Sequence, residues 1–196
     1  FKAQDGFVRE VVFLRAEELA RMAVGEARMG GYEYKVRKNK AKARILWNDL
    51  RTKKSVGIIR RDEETGIVEI AKPVGVVGAV TPCTNPVVTP MCNAMFALKG
   101  KNAIILAPHP RAKRCVAYMT RLYREMLAAR GAPEDLVQAV EEPSIESTKE
   151  LMGLVDVVVA TGGMDMVRSA YSSGKPSFGV GAGNVQCIID RGVDFE

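Results

Sequence analysis

From residue 74 onward the chain alternates short, wholly apolar runs with longer amphipathic ones, and this alternation restricts the possible folds more than any other feature. It predicts strands over 74–80, 103–107, 137–140 and 155–160, and helices over 87–99, 112–130, 144–153 and 164–172. A strand that is apolar throughout is buried on both faces, and such strands separated by helices build a parallel sheet covered on either side. The expected class is α/β with a Rossmann-like sheet. Gly131-Ala132-Pro133 closes the long helix, as glycine and proline do at helix ends. Ser144 opens the next as an N-cap, with Glu146 and Ser147 in its first turn. A last strand over 185–190 is expected to leave this domain.

Two helices are expected ahead of the sheet, over 8–28 and 32–53, with Gly30-Gly31 as the stop between them. Between them and the sheet, β-rich runs at 56–59 and 67–70 flank the polar turn Arg61-Asp62-Glu63-Glu64-Thr65-Gly66. A projecting ribbon with unpaired edges needs a partner. The expected division is 1–54 for the N-terminal helices, 55–73 for the ribbon and 74–196 for the cofactor-binding sheet domain.

With 196 residues, 47% of them apolar, the chain can bury a sizeable core. No apolar run reaches the length of a membrane span, and the start, Phe1-Lys2-Ala3-Gln4, shows no signal-peptide pattern. A soluble, cytoplasmic protein cut at both ends is the expectation. Cys83, Cys92, Cys115 and Cys187 fall at unrelated spacings and His109 is the sole histidine, so no metal site is expected. The net charge of +6 is local: residues 35–54 hold nine Lys/Arg against Asp49 alone. Such a stripe could hold phosphate or nucleic acid, but on a helix a solvated face is the favoured reading.

In a parallel sheet, ligands sit beyond the carboxyl ends of the strands. Two strand-like runs within 74–110 end in polar, proline-containing loops, which makes Asn85, His109 and Arg111 candidates for function. Gly75 and Gly78 lie inside a strand and do not form the G-x-G-x-x-G fingerprint of the ordinary dinucleotide fold.

Four ordered blocks carry a family resemblance: Thr81-Pro82-Cys83-Thr84-Asn85-Pro86, Pro108-His109-Pro110-Arg111-Ala112-Lys113, Ala160-Thr161-Gly162-Gly163, and Gly174-Lys175-Pro176 running into Gly179-Val180-Gly181-Ala182-Gly183-Asn184. The chain resembles the aldehyde dehydrogenase superfamily, in its coenzyme A-acylating branch of alcohol/aldehyde and succinate-semialdehyde dehydrogenases. The resemblance spans nearly the whole chain but under half of a complete member, whose members bind the cofactor without the fingerprint.

The resemblance implies that the Asn85 amide stabilises the oxyanion formed when a catalytic cysteine attacks an aldehyde, a donor worth roughly 3 kcal/mol. The plain alternative is that Asn85 caps a helix starting at Pro86. It further implies that Thr81, Pro82, His109, Arg111, Thr161, Gly162, Gly163 and Gly181 bind NAD or NADP. His109 would hold the adenosine ribose, and Thr161-Gly162-Gly163 would place a helix N-terminus on the pyrophosphate; a generic Gly-Gly turn is the alternative there. Ala112 stands where a glutamate usually favours the unphosphorylated ribose, and Arg111 and Lys113 add positive charge, so NADP is allowed while NAD ranks first. Gly179 aligns with the glutamate that activates water in hydrolytic members. Glycine cannot take a proton, so the thioester would persist for coenzyme A, the co-substrate.

None of the four cysteines falls at the family's catalytic position, which would lie some tens of residues beyond Glu196. Cys92, Cys115 and Cys187 read as small buried apolar residues. Cys83, in the loop, lacks a base nearby in sequence. The resemblance thus implies the cofactor-binding part of an enzyme joining a small aldehyde and coenzyme A into acyl-CoA, reversibly, with no turnover by this chain alone. Its ribbon would belong to the dimerisation element of a homo-oligomer. The alternatives are an acyl-phosphate reductase of the same superfold and a nucleic-acid-binding module using the basic helix.

Overall fold

The computed structural model describes residues 4–194. Seven strands and seven helices follow one another among them, and five of the strands form the sheet expected from the alternating pattern. These are β3 (Val76–Thr81), β4 (Ala103–Pro108), β5 (Val137–Ala139), β6 (Val157–Thr161) and β7 (Ser177–Val180), in the spatial order β5-β4-β3-β6-β7. All their pairings are parallel. The chain therefore starts in the middle of the sheet, winds outward through β4 and β5, and returns to add β6 and β7 on the other side of β3. The reversal between β3 and β6 is the topological switch point, where the loops leaving adjacent strands part and open a crevice.

Alternation of side chains along a strand divides the core in two. Val77, Ala79, Ile104 and Leu106 face α4 (Val88–Lys99) and α5 (Lys113–Ala128), where they join Met91, Met95, Val116 and Met119. Val80 and Ala107, on the opposite face, pack with Leu151, Met152 and Ala170 of α6 (Ile145–Leu154) and α7 (Met164–Tyr171). Both faces are covered.

A further layer lies outside α4 and α5, and it holds three helices where two were expected: α1 (Gln4–Leu14), α2 (Ala16–Ala27) and α3 (Tyr32–Leu50). The expected helix over 8–28 breaks at Arg15, whose φ of −100° and ψ of 20° turn the chain. Both α1 and α2 pack on α3 and α5, and the bend lets α1 lie along α4 as well. The buried Asn39 of α3 donates to the Ala16 carbonyl at 3.3 Å and fixes the corner. The apolar period runs on across Arg15, so nothing local marks the bend.

The ribbon forms as an antiparallel pair, β1 (Gly57–Arg61) and β2 (Val68–Ala71), with an irregularity between Ile58 and Arg60. Asp62 organises its turn: Oδ1 accepts from the Glu64 and Thr65 amides, each at 3.1 Å.

The expected strand over 185–190 does not form; residues 181–190 have no regular secondary structure. Val185 and Ile188 are 88% and 95% exposed, with no neighbouring strand among the described residues to take up their backbone groups. Cys187 is consequently exposed, contrary to the buried state expected of it. The strand that closes the sheet beyond β6 is β7 instead, a four-residue run holding a glycine and following Pro176, too short to stand out by periodicity.

Candidate functional site

The crevice at the switch point is an open cleft of about 860 Å³, within the range of cofactor sites. Thr81, Pro82 and Asn85 line it from the loop after β3, His109 from the loop after β4, and Thr161, Gly162 and Gly163 from the end of β6. Gly181, just past β7, closes the far side. Four strand ends thus bring together residues separated by up to a hundred positions. Of the candidate site residues, Arg111 alone does not line the cleft.

Two backbone and side-chain contacts make the loops one unit. His109 donates its backbone N–H to the Thr81 carbonyl at 3.0 Å, joining the β3 and β4 ends. His109 Nδ1 accepts from the Arg111 amide at 3.1 Å, so the neutral ring carries its proton on Nε2 and presents a donor. His109 also caps the short turn Pro110–Ala112 through that same contact. The Arg111 guanidinium reaches back to the Ala27 carbonyl at the end of α2, where it caps a helix C-terminus rather than facing the cleft. Lys113 is likewise engaged, in an ion pair with Glu142.

Thr81 is only 2% exposed, and its hydroxyl has no hydrogen-bond partner although the residue lines the cleft. A buried hydroxyl left unpaired costs about 1–3 kcal/mol. A polar ligand in the cleft would relieve that cost. The first turn of α7 opens at Gly163 without a side-chain cap, leaving backbone donors at the cleft wall. An orphaned hydroxyl, an uncapped helix start and an imidazole donor are the groups that a dinucleotide's hydroxyls and phosphates require, so the residues fit such a cofactor. Among the described residues no cluster of His, Cys, Asp and Glu could hold a metal ion.

Asn85 does not cap the following helix. That helix starts at Val88, one residue after the expected 87 and two after Pro86, with Val87 as its N-cap and no side-chain cap. The Asn85 backbone carbonyl accepts from Thr89 at 3.2 Å, while the side chain turns elsewhere. Its Oδ1 accepts from the Lys38 ammonium and its Nδ2 lies 3.5 Å from Thr84 Oγ1. Lys35 donates to the Thr84 carbonyl at 2.7 Å, and burial, then the nearby Lys38, holds its ammonium pKa below the usual range.

These two lysines were missed by sequence reasoning, which treated the basic stripe as one solvated face. Residues three apart on a helix share a side, so Lys35 and Lys38 could have been paired in advance. Their target could not, because nothing local places α3 beside the loop after β3.

Two of the four cysteines, Cys92 and Cys115, are poor nucleophiles. Burial pushes the Cys92 thiol up to about 11, and burial together with Glu26 pushes Cys115 up to about 12, so both stay protonated at neutral pH. Cys83 lies in the cleft loop with its Sγ 3.8 Å from Met29 Sδ. At Gly179 an added Cβ would stand 2.6 Å from Val167 Cγ1 and 3.0 Å from the Tyr171 ring. A side chain there would meet the Val167 and Tyr171 side chains of α7, which would have to shift to admit a carboxylate.

Residues 9–196 match the profile of the aldehyde dehydrogenase family. The chain is 54% identical over 186 residues to the acetylating succinate-semialdehyde dehydrogenase of Clostridium kluyveri, covering 95% of this chain and 41% of that enzyme. Among solved structures it is similar to an acetylating aldehyde dehydrogenase from Geobacillus thermoglucosidasius, with a TM-score of 0.88 and 43% identity over 93% of this chain and 41% of the other. It is also similar to the propionaldehyde dehydrogenase of Rhodopseudomonas palustris solved with propionyl-CoA bound, with a TM-score of 0.80 and 38% identity over 92% and 40% of the two chains. The chain spans about two fifths of the length of these relatives. With the fold, the ordered motifs and the profile in agreement, the chain belongs to the aldehyde dehydrogenase family.

Proposed function

We propose that this chain is the cofactor-binding part of a CoA-acylating aldehyde dehydrogenase whose nucleophilic cysteine lies outside it. The observation that carries this reading is the cleft itself: Asn85, His109 and the Gly162-Gly163 turn, from three different strand ends, converge on one crevice beside the unpaired Thr81 hydroxyl. A bound nicotinamide dinucleotide supplies the hydride acceptor. His109 offers Nε2–H to a ribose hydroxyl, the first turn of α7 offers backbone N–H groups to phosphate, and Thr81 offers its hydroxyl. The Asn85 amide would donate to the oxygen that becomes an oxyanion when a cysteine thiolate adds to the aldehyde carbon.

With Gly179 packed against α7, no carboxylate is available there to activate water against the resulting thioester. The thiol of coenzyme A would instead displace the cysteine, releasing acyl-CoA; the bound propionyl-CoA of the Rhodopseudomonas relative supports this branch. The substrate would be a small aldehyde or, in reverse, its acyl-CoA. NAD is favoured over NADP, since Arg111 and Lys113, the cations that could meet a 2′-phosphate, already have partners. A homodimer through the β1–β2 ribbon and a cytoplasmic setting complete the proposal. No helix among the described residues is long and apolar enough to cross a membrane. The nucleic-acid reading is disfavoured because Lys35 and Lys38 of the basic stripe are turned onto the cleft loop.

Thermal unfolding with NAD+, NADP+ or coenzyme A added separately tests the reading. A ligand at 100 times its dissociation constant adds about 2.7 kcal/mol, so a clear rise in Tm with NAD+ is expected, together with no dehydrogenase turnover. A folded sample that shifts with none of the three would count against a cofactor site.

A further inference from the structure

Asn85 can serve an oxyanion only if its NH2 end, and not its carbonyl end, faces the reacting atom. A primary amide is nearly symmetric in shape, so packing alone does not choose between the two orientations. Lys38 chooses. An ammonium has three donors and no acceptor, so the atom it meets must be the amide oxygen. Lys38 of α3 meets Oδ1, and the NH2 group therefore points the other way, where only the 3.5 Å approach to Thr84 Oγ1 engages it. Lys35, one helical turn earlier, fixes the loop backbone through the Thr84 carbonyl at 2.7 Å.

We infer that Lys38 is a positioning residue for catalysis: it locks the Asn85 amide with its NH2 group free to donate, and its charge strengthens that donation. The inference rests on the oxyanion role proposed above for Asn85. A cation on the carbonyl end draws electron density away from nitrogen, which makes the N–H bonds better donors. Lys38 would thus act through another residue, from an N-terminal helix outside the sheet, without touching the substrate. Other lysines of the stripe pair with acids instead, Lys40 with Glu17 and Lys53 with Asp49, at 3.3 and 2.7 Å.

The test has two readouts. In this chain, the side-chain NH2 resonances of Asn85, identified by their disappearance in Asn85→Asp, report the amide directly. Lys38→Met and Lys38→Gln should shift and broaden them, and Lys38→Arg should restore them. In the enzyme that joins this domain to its nucleophile, Lys38→Met should lower kcat about tenfold or more with KM for the nicotinamide cofactor unchanged, as expected for loss of a charge-assisted hydrogen bond. Lys38→Arg should recover most of the rate. Unmoved resonances and an unchanged kcat in both Lys38→Met and Lys38→Gln, with Asn85→Ala still slow, would overturn the role of Lys38 and leave the oxyanion reading standing. An Asn85→Ala enzyme as fast as wild type would remove the oxyanion reading and this inference with it.

Discussion

Gly75, at the entrance to β3, has a φ of 114°, a conformation that residues with a Cβ rarely adopt. A Cβ there would also stand 2.2 Å from Asp156 Oδ2, the oxygen that accepts from the Val76 amide at 2.8 Å. Gly75→Ala must therefore either strain the backbone or break the contact that starts β3, and a loss of about 2 kcal/mol is expected. Urea denaturation would show it as a lower midpoint with an unchanged slope; a midpoint equal to wild type would show that the turn relaxes freely. The same residue scale governs what the sequence could disclose about the cleft. His109 and Asn85 were legible because they end strand-like runs. The partners that set their orientation were not, since Lys38 lies 47 residues from Asn85 and Arg111 answers to the end of α2. Contacts at such separations depend on how layers stack, and no local pattern encodes that.

Among the elements, α5 shows how the outer layer holds the sheet domain. Its N-terminal amides at Arg114 and Cys115 are taken by the two carboxylate oxygens of Glu26 on α2, each at 2.8 Å. In return Arg111, just before α5, caps the end of α2. A negative charge at a helix N-terminus and a positive one at a C-terminus each complement the helix dipole, so the two contacts reinforce one another. Glu26→Ala leaves both amides uncovered and should cost about 1–2 kcal/mol, read as a lower Tm; Glu26→Gln, which keeps one acceptor, should lose less. Equal stability of all three proteins would mean that water replaces the carboxylate without penalty. The helix and strand types over 74–172 were readable because their periods differ sharply. The turn at Arg15, the short β7 and the absent strand over 185–190 were not, because each is decided by what lies beside it. The residues of 185–190 have the composition of a strand, and no strand among the described residues pairs with them.

At the level of the whole molecule, the apolar surface left exposed is unevenly placed. Ile58 and Ile70 are cross-strand partners on the ribbon, 43% and 57% exposed, and Ile59, Ile67 and Val68 are exposed beside them. A two-stranded sheet with no third strand and no packed face is marginal in water. This one carries apolar side chains on its surface, so covering them would stabilise the ribbon and its partner together. A second copy of the chain is the partner that the proposed homodimer supplies. Sedimentation velocity should then show concentration-dependent self-association. Replacing the facing pair by Ile58→Thr and Ile70→Thr keeps β-forming residues in both strands while removing the apolar contact, and it should leave the chain monomeric at every concentration, with a Tm that no longer rises with concentration. If the wild-type chain is itself monomeric throughout, the ribbon alone does not dimerise it. Association that survives the double substitution would instead assign the interface elsewhere, and the exposed Phe178 and Val180 on the β7 edge would be the next surface to test.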